Sequence, residues 1–305
     1  MATYPTEFAH TITTTFEKEG GAKWLGRLSE LVAECEQRWS LTVHPPVHRL
    51  SFNYVAPATR ADGAELMLKL GVPCRELQTE IDALRVFDGR GSARLLAFDR
   101  ELGALLLERV VPGEPLNRLP DDEEATRIAA RVMKRLWRPN PDGQVFPTVF
   151  DWAKGMERMR AHFGGGTGPF PRRLVDKAES LHAELLTSMD ESVVLHGDLH
   201  HENILSAERE PWLAIDPKGV VGEPAYEVGQ LLLNVTDEQV ASCDVGRLTA
   251  RRVDVLAEEL GFDRLRVAGW GLARGVLSAW WCIEDGSDCF DWAIGMAMVL
   301  DEVMG

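Results

Sequence analysis

VVLHGDLHHENILSAEREPWLAIDPKG, residues 193–219, is the stretch from which the rest of the chain is read. Two short apolar runs, at 192–195 and 212–215, flank a polar loop that holds His196, Asp198, His200, His201 and Asn203. Asn203 lies five residues after Asp198, and Asp216 lies 13 after Asn203, at the end of the second run. Phosphoryl transfer needs a carboxylate near the attacking hydroxyl. It also needs hard oxygen ligands for the Mg²⁺ that neutralises nucleotide phosphates. One Asp, one Asn and a second Asp at the ends of adjacent strands supply both. Zinc would require three or four well-placed ligands, and no partner Cys or His cluster lies elsewhere in the chain.

Upstream of this stretch the pattern is that of an α+β unit. Residues 22–39 carry Trp24, Leu25, Leu28, Leu31, Val32, Cys35 and Trp39 at helical spacing. Residues 48–56 and 64–70 read as two strands joined by the turn Ala61-Asp62-Gly63. Residues 74–88 read as a helix with Leu77, Ile81 and Leu84 inward, and 94–98 and 104–110 as two more strands. After VVPGEPL the chain becomes helical, with helices expected at 121–137 and 172–189, a GGGTGPFP loop between them, and mostly helix from 236 onward. The expectation is a small sheet-bearing lobe over 1–107, a hinge at 108–113 and a larger helical lobe over 114–305, with a ligand cleft between the lobes.

A nucleotide-dependent enzyme also needs a cation for the phosphates. Lys69, ending the strand ELMLKL, can meet the α- and β-phosphates if a carboxylate of the following helix holds it. Glu80, 11 residues on, is the chosen partner, with Glu76 one turn earlier as its rival. The backbone of LLLERV, at Glu108 and Val110, is where an adenine would be met. Residues 48–63 contain no G-x-G-x-x-G, and the chain has no G-x-x-x-x-G-K-[ST], which excludes a P-loop kinase.

The order H-G-D, four residues, N, then I-D-P parallels the H-R-D…N and D-F-G parts of protein kinases. HGDLHHENIL and WLAIDPKGVVGEPAYEV, together with WLGRLSELVAECEQRWSL, LRVFDGRGSARLLAFD, GALLLERVVPGEPL and GVLSAWWCIEDG, resemble the aminoglycoside phosphotransferases of the streptomycin and hydroxyurea resistance group over almost the whole chain. The resemblance implies a protein-kinase-like two-lobed fold, ATP with Mg²⁺, and O-phosphorylation of a small hydroxylated substrate. It implies Asp198 as the base, Asn203 and Asp216 as metal ligands, and His196 as a loop brace. The missing glycine loop fits the antibiotic-kinase branch and not the protein kinases.

The net charge of −15 argues against a nucleic-acid partner. It is uneven: residues 1–107 hold 12 Lys/Arg against 14 Asp/Glu, and the remainder 21 against 34. Residues 275–305 hold six acids and no Lys or Arg. Such a field steers a cationic ligand, so Glu284, Asp285 and Asp288, placed on a loop by Gly286, are expected to contact a cationic antibiotic. Hydroxyurea or another neutral hydroxyl compound is the alternative acceptor, and a nucleotide-binding pseudokinase the alternative of another class. The start MATYPTEFAH has no apolar signal stretch, and no apolar run approaches the ~20 residues of a membrane span. Five cysteines without a CxxC pair read as reduced core thiols. The expectation is a cytoplasmic monomer without a membrane or nucleic-acid partner.

Overall fold

A computed structural model describes residues 4–287 and 289–305, and the chain divides into two units, Met1–Val111 and Pro112–Gly305. The first contains α1 (Thr6–Thr15), α2 (Gly21–Gly26), α3 (Leu28–Trp39), β1 (Leu41–Val43), β2 (Tyr54–Arg60), β3 (Glu65–Leu70), α4 (Arg75–Phe87), β4 (Leu95–Asp99) and β5 (Ala104–Glu108). Its five strands form one antiparallel sheet in the order β1-β2-β3-β5-β4.

Strand alternation decides what each face of that sheet meets. Leu66, Leu68 and Leu70 of β3 join Phe8, Ile12, Leu28, Leu31 and Cys35 in one core. On the other face, Leu105 of β5 packs with Leu77, Ile81 and Leu84 of α4. Lys69, out of phase with the three leucines, therefore shares the α4 side of the sheet. The strand expected at 48–56 is displaced to β2, which runs through Pro57. Pro57 pairs with Met67 on β3, and its carbonyl accepts from His44 N at 2.8 Å, one residue past the end of β1. The proline's missing N–H thus falls where the β1 ladder stops, which is why the strand tolerates it. The helix expected over 22–39 is broken at Arg27 into α2 and α3.

The second unit contains β6 (Pro112–Pro115), α5 (Asp122–Leu136), α6 (Val149–Ala153), α7 (Gly155–His162), α8 (Arg172–Thr187), β7 (Val193–Leu195), β8 (Ile204–Ala207), β9 (Trp212–Ala214), β10 (Val220–Gly222), α9 (Val228–Leu233), α10 (Asp237–Ser242), α11 (Val245–Leu260), α12 (Arg264–Glu284) and α13 (Phe290–Met304). Asp121 caps α5 by accepting from Glu123 N and Glu124 N. β7 and β9 are not adjacent, contrary to the sequence reading. β7 pairs with β10, and β9 pairs with β8, which pairs with β6. β8 and β10 are too short and too mixed in polarity to announce themselves.

Helix α12 is the axis of this unit. Val267, Ala268, Trp270, Leu272, Ala273, Val276, Leu277, Ala279 and Trp280 are all buried, so it is apolar nearly all round, as a helix with neighbours on every side must be. A Cβ on Gly271 would lie 2.9 Å from Leu232 and 3.1 Å from Leu300, so glycine permits the close approach of α9 and α13. Asp285 ends the helix and Gly286 turns away with φ +69°. The reading of five reduced core thiols is corrected: Cys282 and Cys289 form a disulfide across this turn, with Cα atoms 5.6 Å apart. Cys35 is buried, Cys74 half-buried and Cys243 exposed. Among the described residues no helix is long and apolar enough to cross a membrane.

Candidate active site

The HGD turn follows β7 directly, and every backbone polar group from His196 to Asp198 has a partner. Glu227 takes His196 N on Oε2 at 2.7 Å and Gly197 N on Oε1 at 2.8 Å. Asp198 N donates to His196 Nδ1 at 3.3 Å, and His196 Nε2 lies 2.8 Å from Ile215 O. A carbonyl can only accept, so Nε2 carries the hydrogen and Nδ1 the lone pair. Burial pushes the His196 pKa down to about 4, which keeps this neutral tautomer in place. His196 O accepts from Lys218 N (2.8 Å) and Gly219 N (3.2 Å). Gly197 O accepts from Arg274 Nη2 (3.3 Å), and Asp198 O from Asn203 Nδ2 (3.0 Å). Gly197 sits at φ +83°, where a Cβ would be 2.8 Å from the Trp152 ring. Only glycine fits this point.

This scaffold presents the Asp198 carboxyl. Burial raises its pKa, while His200, Lys218 and Arg274 lower it and Asp216 raises it further. Asn203 ends a 3₁₀ turn, His201–Asn203, just before β8. Its backbone carbonyl accepts from Ile215 N at 2.9 Å, which continues the β8–β9 ladder. The ladder thereby brings Asn203 beside the residue that precedes Asp216. Asp216 is exposed and holds φ +62° immediately before Pro217, a left-handed conformation that a pre-proline residue rarely adopts. Strain of this kind costs about 1–3 kcal/mol and clusters at functional sites.

These residues fit a Mg²⁺ ion and do not fit an all-protein metal cage. Asn203 spends its Nδ2 on the Asp198 carbonyl, so the amide oxygen is the atom left to face a cation. Among the described residues no cluster of three or more His, Cys, Asp or Glu side chains could hold a metal alone. Mg²⁺ commonly takes one or two protein oxygens and completes its shell with water and substrate phosphate.

In the first unit Lys69 Nζ and Glu80 Oε1 are 2.6 Å apart, and both side chains are buried. Glu76, the rival partner, is exposed on the first turn of α4. Glu108 closes β5: its N donates to Arg94 O at 2.9 Å and its Oε2 accepts from Arg94 N at 3.0 Å. Val110 follows, half-buried and outside the strand.

Of the three acids expected to face a cationic ligand, Glu284 is the last residue of α12. It accepts from Arg158 Nε at 2.7 Å and Nη2 at 2.9 Å. Asp285 is exposed, and Asp288 lies outside the described residues.

Sequence reasoning missed Glu227 and Arg274. Both had a legible signal. Glu227 is a charge inside the apolar stretch AYEVGQLLL, and Arg274 is the only charge between Arg266 and Glu284 in α12. A charge in an apolar run is buried only when something requires it.

The chain matches the family model for aminoglycoside/hydroxyurea antibiotic resistance kinases over residues 38–286. The chain belongs to that family. It is 38% identical to a streptomycin 6-kinase of Streptomyces glaucescens, covering 94% of this chain and 93% of the relative. It is 36% identical to a hydroxyurea phosphotransferase of Kitasatospora aureofaciens, covering 87% and 76%. Among solved structures, a choline/ethanolamine kinase family protein from Mesorhizobium loti superposes with a TM-score of 0.63 at 15% identity, covering 90% of this chain and 95% of that one. An aminoglycoside phosphotransferase crystallised with ADP and hygromycin B gives 0.61 at 16% identity, covering 89% and 97%. At such identities these structures speak for the fold, which is kinase-like. The enzyme is a phosphotransferase that acts on hydroxyl groups.

Proposed function

We propose that this kinase transfers the γ-phosphoryl group of ATP to a hydroxyl of a cationic, streptomycin-like antibiotic and so confers resistance in the cytoplasm. Asp198 orients the acceptor hydroxyl and takes its proton. Asn203 and Asp216 hold Mg²⁺, which when bound neutralises charge on the phosphates. Lys69, held by Glu80, contributes a cation to the phosphates, and the backbone at Glu108 and Val110 meets the adenine. The observation that supports this reading is the HGD turn, whose backbone polar groups are all paired, with the Asp198 carbonyl accepting from Asn203.

Glu284, Asp285 and Asp288 are proposed to attract the cationic acceptor. The streptomycin kinases among the relatives favour this choice. One observation favours a second reading, a neutral acceptor such as hydroxyurea: Glu284 is already paired with Arg158. The two separate in one experiment, ATP consumption by the purified chain across a panel of aminoglycosides and hydroxyurea. Turnover with streptomycin but not hydroxyurea is expected. Turnover with neutral acceptors alone would sink the antibiotic assignment and leave the kinase chemistry standing.

A further inference from the structure

Arg274 is a buried cation that the mechanism above does not use. It rises from the middle of α12, only 6% exposed, among side chains that are otherwise apolar. Nη1 donates to Tyr226 Oη at 2.8 Å, and Nη2 lies 3.3 Å from Gln230 Oε1 and 3.3 Å from Gly197 O. Three aromatic rings surround the guanidinium: Trp281 at 4.6 Å, Trp152 at 5.2 Å and Tyr226 at 5.7 Å from their centroids. Cation–π contacts of this kind gain strength when desolvated. The guanidinium is thus held by hydrogen bonds from Nη1 and Nη2 and by the rings around it, while its buried Nε has no hydrogen-bond partner among the described residues.

What it locks is the peptide that leads into Asp198. Glu227 grips Gly197 by its N–H, and Arg274 grips the same residue by its carbonyl. Trp152 leaves no room for a Cβ at Gly197. Glycine has the widest backbone freedom of the residues in the turn, and without these grips the peptides on either side of it could rotate and swing the Asp198 side chain. Arg274 also brings a positive charge that acts on two carboxyls, those of the half-buried Asp198 and the buried Glu227.

We propose that Arg274 is a positioning residue for phosphoryl transfer, fixing the Gly197–Asp198 peptide so that the Asp198 carboxyl meets the acceptor hydroxyl at a reactive angle. The proposal rests on Asp198 being the base. A misplacement near 1 Å in such a group can cost about 10²-fold in rate, so the loss belongs in kcat and not in the binding of either substrate.

The test uses the full chain with ATP and streptomycin as the probe acceptor. Arg274→Met keeps the stem and removes the fork. The expected result is a kcat about 10²-fold lower, with KM for ATP and for streptomycin within about twofold of wild type. Arg274→Lys, which keeps charge without the planar fork, should recover part of the loss. Tyr226→Phe removes one in-plane bond without disturbing the core and should lower kcat a few-fold. It keeps the test decisive if Arg274→Met fails to fold.

The second arm places Arg274→Met in an Asp198→Asn background. If Arg274 acts through Asp198, the double variant is no slower than Asp198→Asn alone. A loss that multiplies instead, a loss that falls on KM, or a folded Arg274→Met or Tyr226→Phe with wild-type kcat would each overturn the proposal. Wild-type turnover by Asp198→Asn itself would show that the base assignment has failed, a result distinguishable from failure of the clamp.

Discussion

The two units bury charge in opposite ways. In the first, Lys69 and Glu80 form a buried pair at 2.6 Å between a strand and the helix packed on it. In the second, Asp198 is half-buried with its backbone hydrogen-bonded, and the side chains that lower its pKa, Lys218 and Arg274 among them, come from separate segments. A closed pair carries its own compensation and is lost as a pair. An open carboxyl depends on its surroundings and stays available to a substrate. Substitutions in both units and a pH titration test whether that distinction holds.

Asp198→Asn has the largest expected effect on rate. Removing a positioned general base costs about 10²–10⁴-fold in kcat, with ATP affinity nearly intact. The same substitution should make the protein more stable at neutral pH. Burial raises the Asp198 pKa above its unfolded value, so its ionisation opposes folding as pH rises through that interval, and an amide carries no such cost. Denaturant unfolding at pH 7 reads this out. A loss of stability would mean that Asp198 is structural and the open description wrong.

Asp216→Ala is expected to abolish productive Mg·ATP binding, measured by calorimetry with and without EDTA. It should also add to the left-handed strain at φ +62°, because alanine tolerates that region less well than aspartate. Unchanged Mg·ATP affinity would remove Asp216 from the metal site.

The closed pair predicts the reverse pattern. Lys69→Ala leaves Glu80 buried alone and should destabilise the fold by about 3–5 kcal/mol. The double variant Lys69→Met, Glu80→Leu should recover most of that stability while ATP binding stays lost. If Lys69→Ala costs under about 1 kcal/mol, the pair is no more than a solvated contact.

Buried histidines give the second unit a pH response. Burial pushes His182, His196 and His201 down to about 4. Unfolded histidine titrates near 6.5. Their contribution to stability is therefore complete above pH ~6.5 and is lost as pH falls toward 4, by up to about 3 kcal/mol each. Glu227 works against this, since burial raises it to about 7 and its ionisation lowers stability as pH climbs from about 4.5 to 7. His182 packs against Trp270 and has no part in the proposed chemistry, so His182→Gln should flatten the acid slope without altering turnover. An unchanged slope would show that His182 does not carry it.

How much of this was legible in the sequence follows from where the information resides. The alternation in ELMLKL and the 3.6-residue spacing of Leu77, Ile81 and Leu84 are local, and they sufficed to place Lys69 and Glu80 on facing surfaces. The spacing of Asp198, Asn203 and Asp216 is local too. The pairing of β7 with β10 and of β8 with both β6 and β9 is not local, because three- and four-residue strands carry too little pattern to specify a partner. The strand expected over 48–56 instead runs from Tyr54 through Pro57 to Arg60, a shift that depends on where the β1 ladder stops. Arg274 and Glu227 converge on Gly197 from 77 and 30 residues away. Their burial could be inferred from sequence, but their common target could not.

The smallest expected effect concerns the acids at the end of α12, and it puts the same distinction to the acceptor. Glu284 is half-way between the two modes: paired with Arg158 at 2.7 and 2.9 Å, yet with both side chains partly in solvent. A pair of that kind is worth about 0–1 kcal/mol, so Arg158 screens Glu284 without cancelling it. Arg158→Ala frees the carboxylate, and if Glu284 attracts a cationic acceptor, KM for streptomycin should fall, by at most about fivefold, with KM for ATP unchanged. Glu284→Gln should raise it by a similar factor, and Asp285→Asn should add to that rise because Asp285 is exposed. All three effects should shrink as salt is raised, since exposed charges are screened over ~8–10 Å at physiological ionic strength. A neutral acceptor such as hydroxyurea should show none of them. If Arg158→Ala leaves streptomycin KM where it was, Glu284 is a helix-end ion pair, and the cation must be recognised elsewhere.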